Sequence, residues 1–204
     1  MQLDHVLFAV AASDAPRVLE RYGLEQYEGG RHPGWGTANW IVPLGDAYVE
    51  LVVVVDEREA RASVFGRWVG ESAQGGGGPI GWAVRPDDLD ATAARLGLEI
   101  AAGSRTTPAG KRIEWRSAGI DEAASRPWLL FFIEWREPAA FPGATATQNP
   151  AVVRVELEGD ADELSAWLGS HSLPFEVRPG DAGVTAVVLE GASGAVKLAR
   201  PLSR

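Results

Sequence analysis

The carboxylate most in need of explanation is Glu50, which sits between Tyr48 and the apolar run Leu51 to Val55. An unpaired carboxylate on a buried strand costs several kcal/mol, so Glu50 calls for a metal ion, a cationic ligand or an internal partner such as an arginine. Glu134 poses the same problem beside Phe131, Phe132 and Trp135, with Arg136 as a neighbouring partner if that strand lies at a sheet edge. His5, on an alternating segment near the start, reads either as a half-buried hydrogen-bonded residue or as a functional imidazole. Between them lies Gly29-Gly30-Arg31-His32-Pro33-Gly34-Trp35-Gly36-Thr37-Ala38-Asn39. This stretch lacks the Lys-Ser/Thr ending of a P-loop and the strand-to-helix setting of a dinucleotide turn. Its glycines permit close approach of the backbone to a ligand or to another strand. His32, Trp35, Thr37 and Asn39 would then supply an acid/base group, a stacking face and two neutral hydrogen-bonding side chains at the mouth of a site. The same stretch also reads as a compact loop packed by its own tryptophan, with His32 outside the core.

These residues need a scaffold, and the composition limits which kind. The chain of 204 residues is long enough to bury a core, and its 46% hydrophobic content with mixed charge is that of a globular protein. No apolar run approaches the ~20 residues of a bilayer helix, and Gln2 to Val10 is not a secretory leader, so a cytoplasmic location and no membrane partner are expected. A net charge of −9 opposes the counterion release that drives nucleic-acid binding, which excludes that partner class. Without cysteine there is no thiol nucleophile and no zinc-thiolate site. Eight tryptophans against three tyrosines fit core packing, or a stacking surface for a flat or cationic ligand.

The scaffold is written as a repeat. A shift of 74 positions superposes Phe8-Ala9-Val10 on Trp82-Ala83-Val84, Asp14 on Asp88, and Gly23-Leu24-Glu25 on Gly97-Leu98-Glu99 without a gap. Residues around 150–204 match more loosely at a further shift of 72. Gln74 to Pro79 and Pro138 to Pro150 read as linkers, giving units 1–74, 79–137 and 150–204. Each unit opens with an alternating strand, continues with a helix near 14–23, 87–97 or 161–170, and ends in strand-like runs. The expected fold class is therefore α+β: tandem βαβββ modules forming a cupped, mainly antiparallel sheet, with a third, smaller module that covers an open edge or face of the cup.

In these units the sequence resembles the vicinal oxygen chelate superfamily, and within it the glyoxalase-like group (the glyoxalase, bleomycin-resistance and extradiol-dioxygenase fold). The resemblance rests on Leu3-Asp4-His5-Val6, the Gly29 to Asn39 segment, Tyr48-Val49-Glu50-Leu51, and Pro127 to Trp135. In metal-dependent members a His on the first strand and a Glu on the last strand of each module hold a divalent ion. The resemblance thus implies His5 and Glu50 as ligands of Zn, Ni, Mn or Fe(II), Glu134 as third ligand or catalytic base, and His32 as a residue touching substrate. The second pair is incomplete, because the 74-residue shift places Pro79 where a second His would stand.

Two functions follow. One is a metal-dependent lyase, isomerase or dioxygenase that chelates vicinal oxygens of a small substrate. The other is a metal-free binder that sequesters a cationic aromatic compound in an acidic, tryptophan-lined cup. In both the partner is a small molecule, and either is compatible with a homodimer.

Overall fold

The computed structural model describes residues 1–145, 147–191 and 194–200. The first repeat contributes β1 (Gln2–Ala9), β2 (Tyr27–His32), β3 (Thr37–Pro43) and β4 (Tyr48–Val54). The second contributes β5 (Gly78–Arg85), β6 (Ile100–Thr106), β7 (Arg112–Ala118) and β8 (Phe131–Trp135). They close into a barrel of order β1-β4-β3-β2-β6-β7-β8-β5. The duplication is plain in that order: each repeat pairs its first strand in parallel with its last, β1 with β4 and β5 with β8, and the rest of its pairing is antiparallel. The repeats meet along an extensive antiparallel β1–β5 ladder on one side. On the other, β2 and β6 are joined by the single register pair Arg31↔Thr106.

That closure needs glycine. A Cβ on Gly30, which has φ of +137°, would lie 2.1 Å from the backbone oxygen of Thr106, so only glycine lets the two strands meet. The segment read as a loop is therefore mostly strand and hairpin, with β2 and β3 joined through residues 33–36.

Strand parity sorts side chains into two cores. Leu7, Ala9, Ile41, Val52, Phe131 and Ile133 point into the barrel. Val6, Phe8, Val49, Leu51, Trp82 and Phe132 form an outer cluster. Helices reach both. α1 (Glu57–Ala62) and α2 (Val64–Gln74) follow β4, and α2 sends Phe65, Trp68 and Val69 to the interior cluster. Gly81 on β5 permits this, since a Cβ there would meet the Trp68 ring at 2.4 Å.

α3 (Leu89–Leu96) is N-capped by Asp88 and ends on left-handed Gly97. The helix expected at 14–23 is instead a run of turns ending in a 3-10 turn, Glu20–Tyr22. Its backbone bonds alternate between three- and four-residue steps, and Pro16 has no N–H to give to a continuous ladder. α4 (Ile120–Ser125) precedes β8.

The third unit contains β9 (Ala151–Glu158), α5 (Ala161–Leu168), β10 (Phe175–Arg178), β11 (Gly183–Gly191) and β12 (Gly194–Ala199). The element succession matches the expected module, and Asp160 caps α5. The strand order, β10-β9-β11-β12, differs from that of the barrel halves. This sheet lies on the outer cluster, where Val155, Leu157 and Leu164 join Trp82 and Phe132. Trp167 Nε1 donates to the Leu130 carbonyl at 3.0 Å, and Trp82 packs edge-on against Phe175. It covers a face of the barrel, not an edge. Among the described residues no helix is long and apolar enough to cross a membrane.

Candidate functional site

Parity on β1, β3 and β4 turns His5, Thr37, Asn39, Tyr48 and Glu50 into one end of the barrel, and all five are buried. His5 and Glu50 come from neighbouring parallel strands. His5 Nε2 lies 3.2 Å from Glu50 Oε2. The pair is close but not aligned as a hydrogen bond, so Nε2 is left buried without a partner. The other carboxylate oxygen accepts from Asn39 Nδ2 at 2.7 Å and faces His32 Nε2 at 3.7 Å. His32 is itself anchored through Nδ1 to Thr37 Oγ1 at 2.8 Å.

A residue not singled out in the sequence holds His5. Between Leu3 and His5 the β1–β5 register slips by one residue, and this bulge brings the fully buried Asp4 to the same side as its neighbour. Asp4 Oδ1 takes the His5 Nδ1–H at 2.6 Å while Oδ2 accepts from Trp135 Nε1 at 2.9 Å. Arg85 Nε stands 3.5 Å from Oδ2. A histidine tied through Nδ1 presents Nε2 to the pocket in a fixed orientation.

The pocket is narrow, with a cavity volume of about 20 Å³, and is walled by Trp35, Phe65, Trp115, Phe131, Ile133 and Trp135. Burial lowers the His32 pKa to about 4 against the opposing pull of Glu50, and the charges of Arg105 and His5 lower it further, so the ring is neutral at pH 7. Burial, helped by the Asp4 and Glu50 carboxylates, raises the Tyr48 hydroxyl well above its ordinary range. Tyr48 stacks on the His5 ring at 4.7 Å as a neutral phenol.

Other expectations are corrected. Glu134 does not join this site: the inward residues of β8 are Phe131, Ile133 and Trp135, so residue 134 faces out. There it is paired with Arg116, which also grips Asp90. His32 and Trp35 are not on an open loop. His32 is 3% exposed, and the hairpin turn carrying Trp35 is pinned by Glu59, whose carboxylate accepts from Gly34 N–H at 2.8 Å and Gly36 N–H at 3.0 Å. Thr37 serves His32 as its hydrogen-bond partner, and His171 is exposed, away from the site.

A divalent ion of the superfamily kind meets a mixed set of residues. His5 Nε2 and Glu50 are close enough to share one, and the Asp4 bond is the outer support a ligating histidine has. The second pair is missing: Pro79 has no ligand atom, and Glu134 is on the far side of its strand. Arg105 contributes a positive charge to the same pocket wall. Among the described residues no three His, Asp or Glu side chains are disposed to hold an ion. The residues present therefore do not fit the four-ligand site.

The chain is similar to the crystal structure of a hypothetical protein from Staphylococcus aureus, with a TM-score of 0.67 at 13% identity, over 96% of this chain and 98% of that one. It is also similar to methylmalonyl-CoA epimerase from Mycobacterium tuberculosis, with a TM-score of 0.42 at 23% identity, over 66% and 86% of the two chains. An epimerase variant from Streptomyces coelicolor gives 0.43 at 19% identity, over 65% and 94%. At these identities the likeness is one of fold. No curated protein sequence matches the chain. The glyoxalase-like domain model matches residues 3–172, spanning the barrel and the start of the third unit. By that match the chain belongs to the glyoxalase-like domain family.

Proposed function

We propose that the protein is an enzyme that moves a proton on a small oxygenated molecule bound at the His5–Glu50 end of the barrel. The observation that supports this reading is the convergence of His5 Nε2 and His32 Nε2 on the two oxygens of one buried carboxylate. Asp4 fixes the proton of His5 on Nδ1, so Nε2 and the facing Glu50 Oε2 are left to hold or release a single proton between them. Asn39 orients Glu50 by its bond to Oε1. In the tautomer whose Nδ1 accepts from the Thr37 hydroxyl, neutral His32 would present Nε2–H to a substrate oxygen. In such a site a proton leaves the carbon beside a carbonyl for Glu50, charge gathers on the carbonyl oxygen opposite His32, and the proton returns to the same or a neighbouring atom. The aromatic walls exclude water, which strengthens each polar contact.

The test is hydrogen–deuterium exchange in D2O, followed by NMR over a panel of small hydroxy-aldehydes, hydroxy-acids and keto-acids. Exchange at the carbon beside the carbonyl, lowered about 10²-fold or more by Glu50→Gln, is the expected result. Exchange as fast in the variant as in the wild type would refute the assignment of Glu50.

A second reading is the metal-free binder, favoured by the aromatic lining of Trp35, Phe65, Trp115, Phe131 and Trp135. It predicts tight binding of a flat cation with no exchange in any compound.

A further inference from the structure

The barrel contains a positive charge that the proton-transfer reading does not use. Arg105, on β6, is 3% exposed and lines the same pocket as His5 and Glu50. Its Nε and Nη1 are buried without a hydrogen-bond partner. The carboxylates nearby are engaged by other groups: Asp4 by His5 and Trp135, and Glu50 by Asn39 with the two imidazoles beside it. A buried guanidinium with free donors is costly unless an acceptor meets it, and its planar fork matches a carboxylate in two parallel bonds.

The sequence makes room for this group. A Cβ on Gly29 would lie 2.5 Å from Arg105 Nη1 and 2.2 Å from Asn39 Oδ1, so glycine is what admits the guanidinium beside the Glu50 support. The neutral state of His32 points the same way, since Arg105 is one of the charges opposing a proton there.

We propose that Arg105 binds the carboxylate of the substrate, which is a small monocarboxylic acid whose remaining carbons lie among Trp35, Trp115 and Phe131. This names the substrate class for the proton-transfer reading and rests on it for the place of chemistry. A single negative charge suits a wall that already contains Glu50, with Asp4 bonded to the lining residues His5 and Trp135, whereas a phosphate dianion would set a second charge against the same carboxylate. A cationic ligand would have to displace or tolerate Arg105.

Binding is read by quenching of tryptophan fluorescence, with Trp35, Trp115 and Trp135 at the site. The probes are two acid–amide pairs, mandelate with mandelamide and lactate with lactamide, together with inorganic phosphate and benzyltrimethylammonium. In at least one pair the acid is expected to bind tenfold or more tightly than its amide, and phosphate and the cation more weakly than that acid. Arg105→Met should remove the acid's advantage and leave the amide within about twofold, with Arg105→Lys retaining part of it. If Arg105→Met does not fold, the wild-type panel and Arg105→Lys decide. Equal binding of acid and amide in both pairs, no binding by either, or preference for phosphate or the cation overturns the proposal. Glu50→Gln separates the two claims: loss of exchange with acid binding kept supports both. Exchange that ignores Arg105 sinks this one alone, and Arg105-dependent binding with no exchange in the wild type sinks only the proton-transfer reading.

Discussion

Asp4 and His5 are consecutive residues on one strand, yet the carboxylate of the first accepts a 2.6 Å hydrogen bond from the ring of the second inside the barrel. Neighbours on a regular strand face opposite ways, so the bond exists only because β1 bulges at this point. Asp4→Asn would leave one acceptor oxygen for two buried donors, His5 Nδ1–H and Trp135 Nε1–H. The expected cost is about 1–3 kcal/mol in urea unfolding. The variant also frees His5 to take the other tautomer, so isotope exchange should fall by about 10²-fold or more.

His32 gives a pH dependence with a definite sign. Its pKa in the folded protein, about 4, lies below the ordinary 6.5, so the unfolded chain binds the proton first as pH falls. The contribution of this residue to stability is complete above pH 6.5 and is lost as pH drops from there toward 4. One proton corresponds to a slope of up to about 1.4 kcal/mol per pH unit. Denaturation at a series of pH values should therefore show a shallower fall in His32→Gln than in the wild type across that window.

Glu59 fastens the turn that places Trp35 over the pocket, accepting the Gly34 and Gly36 amides. Glu59→Ala leaves those amides to water and is expected to lower stability by about 1–3 kcal/mol, as for charge-assisted bonds of this kind. Faster amide exchange at residues 34–36, with the β1–β4 ladder unchanged, would locate the effect in the turn.

Glu134→Gln is expected to leave both isotope exchange and acid binding at wild-type levels, because residue 134 belongs to the outward Arg116 cluster. A large loss of exchange would return Glu134 to the reaction.

His5 and Glu50 were legible in the sequence because alternation along β1 and β4 fixes their parity once the strands are seen. Parity failed for Glu134 for a physical reason: β8 is apolar on both faces, Phe131 and Ile133 inward and Phe132 outward, so apolar neighbours say nothing about which way residue 134 points. Arg105 was hidden because Ile100–Thr106 mixes small and polar residues without the regular alternation that would assign it a face. The only trace of it was the glycine pair at 29 and 30, whose meaning as space for a second strand needs the strand to be known. α2 could have been read from Phe65, Trp68 and Val69 at helical spacing. The strand order of the third unit could not, since element succession leaves open which strand lies in the middle of a sheet.

The two halves of the barrel are unequal tenants of a symmetric building. His5, His32, Asn39, Tyr48 and Glu50 all belong to β1–β4, while the β5–β8 half supplies Arg105 and the rings of Trp115, Phe131 and Trp135. Reactivity and choice of guest are thereby encoded in separate stretches of the chain. Trp135 alone serves both, since its Nε1 holds Asp4; a library confined to residues 105, 115 and 131 would retune what is admitted while leaving the Asp4–His5 and Asn39–Glu50 hydrogen bonds in place.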